Sequence, residues 1–132
     1  MGKDFTMTAS KPQGGSVLLV EDEVMIRMMV AEMLEDLGYS VVAEAGEIDE
    51  AMHLAQTARF DIAILDVNVN GKVITPVAHT IEARKLPYIF TTGYGLQGIP
   101  EEFRGRPSLQ KPFQMEALEQ MIETALSGNA AA

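Results

Sequence analysis

Cysteine and tryptophan are missing from all 132 residues, and basic side chains are scarce, with 10 Lys+Arg against 19 Asp+Glu. Without cysteine there is no disulfide framework and no thiolate metal site, so a reducing compartment is permitted. The acid excess, a formal net charge of -9, repels phosphate backbones and anionic lipid heads, which argues against nucleic acid and membrane surfaces as partners. No apolar run nears the roughly 18 residues that span a bilayer, and the start lacks the apolar segment of a signal peptide. The expected location is therefore cytoplasmic. Hydrophobic residues at 47% and charged residues at 22% are ordinary for a folded chain, and the length fits one domain with one core.

Residues 1–15 mix Lys3, Asp4, Lys11, Pro12, Gly14 and Gly15 with few apolar side chains and read as a flexible leader. Gly2 and Thr6 match the short N-myristoylation pattern, which arises often by chance, and Met7 offers an alternative start. The folded domain is expected over 16–127, with 128–132 a short tail and no output domain.

Within 16–127, short unbroken apolar runs alternate with longer amphipathic stretches, the pattern of an α/β domain. Runs at 16–20, 62–65 and 88–90 suit strands buried on both faces, as in a helix-covered parallel sheet. A weaker strand is expected at 40–45 and an edge strand around 108–110. Helices are expected at 24–37, with Val24, Met28, Ala31, Leu34 and Leu37 inward, and at 47–58, 75–84 and 114–127. The segment 93–107 carries Gly93, Gly95, Gly98, Pro100, Gly105 and Pro107, so a fourth helix there is expected to be weak or mobile.

Ligands of open parallel sheets bind beyond the carboxyl ends of the strands, where the strand order reverses. Polar residues stand at those ends: Glu21, Asp22 and Glu23 after the first strand, Asp66 and Asn68 at the third, Thr91 and Thr92 at the fourth, and Lys111 with Pro112 after the fifth. Glu21 to Glu23 equally suit a helix N-terminus, where carboxylates are favoured. Three converging carboxylates, however, call for a divalent cation, and Mg²⁺ takes hard oxygen ligands together with a substrate phosphate. A carboxylate is already anionic at neutral pH and can attack a phosphoryl group directly, while a lysine and the metal neutralise the moving oxygens.

These pieces, Val20-Glu21-Asp22-Glu23, Leu65-Asp66-Val67-Asn68, Thr92-Gly93 and Lys111-Pro112-Phe113, resemble the receiver domain of two-component response regulators. The resemblance implies a flavodoxin-like, doubly wound five-stranded parallel sheet, order 2-1-3-4-5, with helices on both faces. It implies Asp66 as phosphoacceptor, Asp22 as direct Mg²⁺ ligand, Glu21 acting through water and the Asn68 backbone carbonyl as a further ligand, with Mn²⁺ able to substitute. Lys111 would pair with a phosphoryl oxygen, with a cis bond to Pro112, and Thr92, followed by the small Gly93, would be the switch hydroxyl with Thr91 facing away. A sensor histidine kinase or histidine phosphotransfer protein is the implied partner, meeting the first helix near Met25 to Met29. An unknown downstream protein would receive the signal, from a monomer or weak dimer that catalyses only its own phosphoryl transfer and loss.

The run Pro87-Tyr88-Ile89-Phe90-Thr91-Thr92-Gly93-Tyr94-Gly95 looks like the single-domain receivers called the FAT GUY group. Two departures matter. The loop Val69-Asn70-Gly71-Lys72 has neither the family's Pro nor its Asp-Gly, and Ser108 replaces the aromatic switch residue three places before the lysine, leaving Tyr94 as a candidate substitute. His53 and His79 read as ordinary surface or boundary residues. Three other readings stand beside this one. A phosphate sink without output partner lies within the family. A flavin or nucleotide module lacks its phosphate cradle after the first strand, and a Mg-dependent phosphohydrolase would need an acid where Asn68 stands.

Overall fold

The computed structural model describes residues 15–127. The leader, the myristoylation pattern and the tail lie outside the described residues. Seven strands and four helices follow in order: β1 Ser16–Val20, α1 Val24–Asp36, β2 Ser40–Ala45, α2 Ile48–Thr57, β3 Ile62–Asp66, β4 Asn68–Val69, β5 Lys72–Val73, α3 Thr75–Ala83, β6 Tyr88–Thr92, β7 Ser108–Gln110 and α4 Met115–Leu126.

Five strands form one parallel sheet in the order β2-β1-β3-β6-β7, which among these strands is the expected 2-1-3-4-5. The alternation of side chains along each strand feeds two cores. Leu18, Val20, Ala63, Leu65 and Phe90 pack with Ala51 and Ala55 of α2 and Val77, Ala78 and Ile81 of α3. Val17, Leu19, Ile62, Ile64 and Ile89 pack with Val30 and Leu34 of α1 and Leu118, Ile122 and Ala125 of α4. Each fully buried Leu or Ile contributes about 1.5–3 kcal/mol, so the central strands dominate stability.

The inward stripe of α1 differs from the expectation. Val30 and Leu34 are buried, with Ile26, Met33 and Leu37 partly so, while Val24 and Met28 are 56% and 64% exposed. Ala31, Leu34 and Leu37 do face the core, but the helix is apolar on more than one face, so spacing alone misplaced the first two turns of the stripe. The polar start of α1 is also not a capping arrangement. Glu23 occupies the N-cap without a side-chain cap bond, and its N–H donates to Glu21 Oε2 at 3.0 Å.

The segment after β6 holds no α-helix, only two 3₁₀ turns, Gly95–Gly98 and Glu101–Phe103. Ile99 and Phe103 anchor it by complete burial, Phe103 packing its ring 5.2 Å from that of Phe90. The hairpin β4–β5 was not expected. Its turn places Asn70 at φ 53° and Gly71 at φ 80°, the pair of positive angles that Asn-Gly supplies to a two-residue turn.

Candidate functional site

The reversal of strand order falls between β1 and β3, and the chain leaving each strand there is acidic. Carboxylate oxygens of Glu21, Asp22 and Asp66 all lie within 4.8 Å of one another. Glu21 and Asp66 are buried, Asp22 half-buried. From the end of β7, Lys111 reaches across the sheet, its Nζ 3.0 Å from Glu21 Oε1 and 3.1 Å from Asp66 Oδ2. Its bond to Pro112 is cis, as expected. One ammonium therefore stands among three carboxylates. Burial is the main cause that pushes Glu21 up to about 7, with the Asp66 carboxylate adding to it, while the Glu23 N–H and Lys111 pull the other way. Burial opposes the charge on Lys111, but Glu21 and Asp66 outweigh it and hold its pKa above the ordinary lysine value.

Asp66 is held by the Asn68 N–H, 3.2 Å from Oδ1, as well as by Lys111. Thr92 ends β6 beside it, and its Oγ1 accepts the Tyr94 N–H at 3.0 Å. A cavity of about 500 Å³ opens between these groups, lined among others by Asp22, Asp66, Asn68, Thr92, Tyr94 and Lys111. Thr91, though equally buried, does not line it. The closeness of the 3₁₀ turn to Thr92 depends on glycine: a Cβ on Gly98 would fall 2.6 Å from Thr92 Oγ1. Tyr94 is 78% exposed at the cavity mouth, and Ser108 opens β7 opposite Phe90. Hard oxygen donors around one small volume suit Mg²⁺ or Mn²⁺, with room left for a phosphoryl group.

A match to the model of the response regulator receiver domain spans residues 17–123. The chain belongs to this family. Receiver domains are the signalling modules of two-component proteins rather than turnover enzymes, and they bind Mg²⁺ at an acidic pocket. The transcriptional regulatory protein PdtaR of Mycobacterium tuberculosis is 36% identical over 115 residues, 84% of this chain and 56% of its own length. The chain thus spans about half the length of that relative. SdrG from Sphingomonas melonis Fr1 is 38% identical, with a TM-score of 0.76 over 84% of this chain and 95% of that one. The receiver domain of sensor histidine kinase PA1611 from Pseudomonas aeruginosa PAO1, solved with magnesium coordinated in its active-site cleft, is 26% identical with a TM-score of 0.73, over 86% and 98% of the two chains.

Residues that the sequence did not single out complete the surroundings. Arg27 Nη1 donates to the Glu21 carbonyl at 2.8 Å, and its Nε lies 3.3 Å from Glu44, so α1 pins the acidic loop. Asn70 donates its N–H to Asp22 Oδ2 at 2.9 Å. Neither carries a motif signal, and only the fold brings them to the site. His53 is exposed on α2, and His79 pairs with Glu102 at 3.0 Å, away from the acidic cluster.

Proposed function

We propose that this domain accepts a phosphoryl group on Asp66 from a cytoplasmic sensor histidine kinase or histidine phosphotransfer protein and passes the signal on by protein contact. The observation that carries this reading is the convergence of Glu21, Asp22 and Asp66 on one point with Lys111 bridging two of them. Asp22, Asp66 and the Asn68 carbonyl would hold Mg²⁺, with Glu21 engaged through water. The metal supplies positive charge to the phosphoryl oxygens and screens the acids from one another. An Asp66 oxygen attacks phosphorus, the N–P bond of the phosphohistidine breaks, and its electron pair stays with the imidazole, which takes a proton. Lys111 exchanges carboxylate for phosphoryl oxygen, and Thr92 releases the Tyr94 N–H to donate its hydroxyl proton to the product.

Docking of the donor is supported by α1, where Val24, Met25, Met28 and Met29 are exposed together. A small cavity lined by Ile26, Met29, Met33, Pro112 and Phe113 lies beside them, next to Lys111. The reading as a phosphohydrolase loses ground at Asn68, whose Oδ1 is engaged by the Gly71 N–H at 2.9 Å.

Intact mass after incubation with acetyl phosphate and Mg²⁺ tests the proposal, with Asp66→Asn and a metal-free sample as controls. One phosphoryl group gained by the wild type alone is expected. Equal gain in Asp66→Asn would move the acceptor elsewhere.

A further inference from the structure

We infer that Asn70 is a positioning residue for the metal site, holding Asp22 through its backbone N–H while its own side chain is moored to Gly46. This rests on the proposed role of Asp22 as a metal ligand.

The 2.9 Å bond from the Asn70 N–H is the sole hydrogen bond that reaches the Asp22 carboxylate among the described residues. A half-exposed aspartate is otherwise free to rotate about two side-chain torsions, and a ligand that must first be ordered binds a cation more weakly. The bond engages Oδ2 and leaves the other oxygen without a hydrogen-bond partner among the described residues. The direction of that N–H is set by the turn, because Asn70 sits at φ 53°, a region asparagine tolerates better than most residues. The turn is in turn fixed at both ends. The Gly71 N–H donates to Asn68 Oδ1, and Asn70 Nδ2 donates to the Gly46 carbonyl at 3.0 Å. One residue thereby laces together the segments that follow β1, β2 and β3, which are the loop of Asp22, the loop of Gly46 and the hairpin that begins at Asn68, just past Asp66.

Two substitutions separate the parts of this device. Asn70→Gly keeps the N–H and the positive φ but cuts the mooring to Gly46. Asn70→Ala cuts the mooring and also strains the turn that aims the N–H. Mg²⁺ titration followed by amide NMR is expected to give a graded weakening, about threefold for Asn70→Gly, the net worth of one hydrogen bond, and about tenfold for Asn70→Ala, the lower end of the losses when a group supporting a metal ligand is removed. The Asn70 amide proton should also shift upfield in Asp22→Asn, where its acceptor loses its charge. Urea unfolding in EDTA supplies the structural control. Affinity losses that merely follow the losses in metal-free stability would overturn the inference, as would unchanged Mg²⁺ affinity in Asn70→Ala. Asp22→Asn distinguishes the two levels: if it leaves Mg²⁺ affinity intact, the metal assignment itself fails, whereas its loss of binding beside a normal Asn70→Ala condemns only the role of Asn70.

Discussion

Two polar networks in this domain solve opposite problems. At the ends of β1 and β3, three carboxylates converge and the ammonium of Lys111 pairs with only two of them, Glu21 and Asp66, while burial pushes Glu21 up to about 7. Between α3, β6 and the second 3₁₀ turn, Glu82 accepts from the Tyr88 hydroxyl and pairs with Arg106 at 2.9 Å, while His79 pairs with Glu102. In this clasp the acid titrates the other way. Burial works against Glu82, but the Tyr88 hydroxyl and Arg106 outweigh it and hold its carboxyl below the ordinary range. The clasp gives each acid a donor and joins Glu82 of α3 to the end of the Gly-rich segment. The acidic pocket keeps charge uncompensated, a local conflict that folding alone does not favour and that a cation with a phosphoryl donor would exploit.

The largest effect is expected at Lys111. Lys111→Met leaves Glu21 and Asp66 facing one another without a counter-charge, which should cost about 2 kcal/mol in metal-free buffer, below the range for a wholly buried pair because Lys111 is partly solvated. Urea unfolding with and without Mg²⁺ measures this, and the metal should restore part of the loss. Phosphorylation by acetyl phosphate should slow by about a hundredfold, the usual loss when one positioned electrostatic group is removed. Equal stability of Lys111→Met and wild type in EDTA would mean that the pocket is not electrostatically strained.

Asp66→Asn should act in the opposite direction. Removing one of the crowded carboxylates relieves repulsion, so the metal-free protein should gain up to about 1 kcal/mol while losing phosphorylation and most of its stabilisation by Mg²⁺. Thermal melting in EDTA and in Mg²⁺ checks both signs. A drop in melting temperature in EDTA would place Asp66 among the structural groups and dissolve the contrast between the two networks.

How much of this was legible before folding follows from which contacts are local. The five strands of the sheet could be inferred because β1 and β3 are unbroken apolar runs ended by acids and every strong strand closes on a polar residue, while their order came only from the family resemblance. The stripe of α1 was legible only in part, because Val24, Met25, Met28 and Met29 are as apolar as Ile26, Val30 and Leu34, and only packing against β1 and β2 chooses between them. The hairpin β4–β5 escaped notice because its two-residue strands carry no periodicity, although Asn70-Gly71 is a strong turn signal. Lys111 meets Glu21 across 90 positions and Asp66 across 45, contacts that spacing cannot supply and the family resemblance could. The contacts of Arg27 with Glu21, of Asn70 with Asp22 and of Tyr88 with Glu82 are unmarked by any motif, so nothing short of the fold would have found them.

The smallest expected effect, and the sharpest test of the contrast, lies in the clasp. Glu82→Gln removes an acid whose folded pKa is depressed below its ordinary value of 4.5, so its contribution is present in full above that value and is lost as pH falls through the lower folded one. The pair with Arg106 is largely solvated, which limits the loss to about 0.5 kcal/mol at neutral pH. Urea unfolding at pH 7 should show that difference, and the wild type and variant should converge only once the pH falls below the depressed folded pKa, where the carboxylate is neutral in both states. Mg²⁺ affinity should stay unchanged, since no bond joins Glu82 to the acidic pocket among the described residues. A variant that destabilises equally at pH 7 and below the folded pKa would show that Glu82 acts through packing, and a change in Mg²⁺ affinity would show that the two networks are coupled through β6, from Tyr88 at one end to Thr92 at the other.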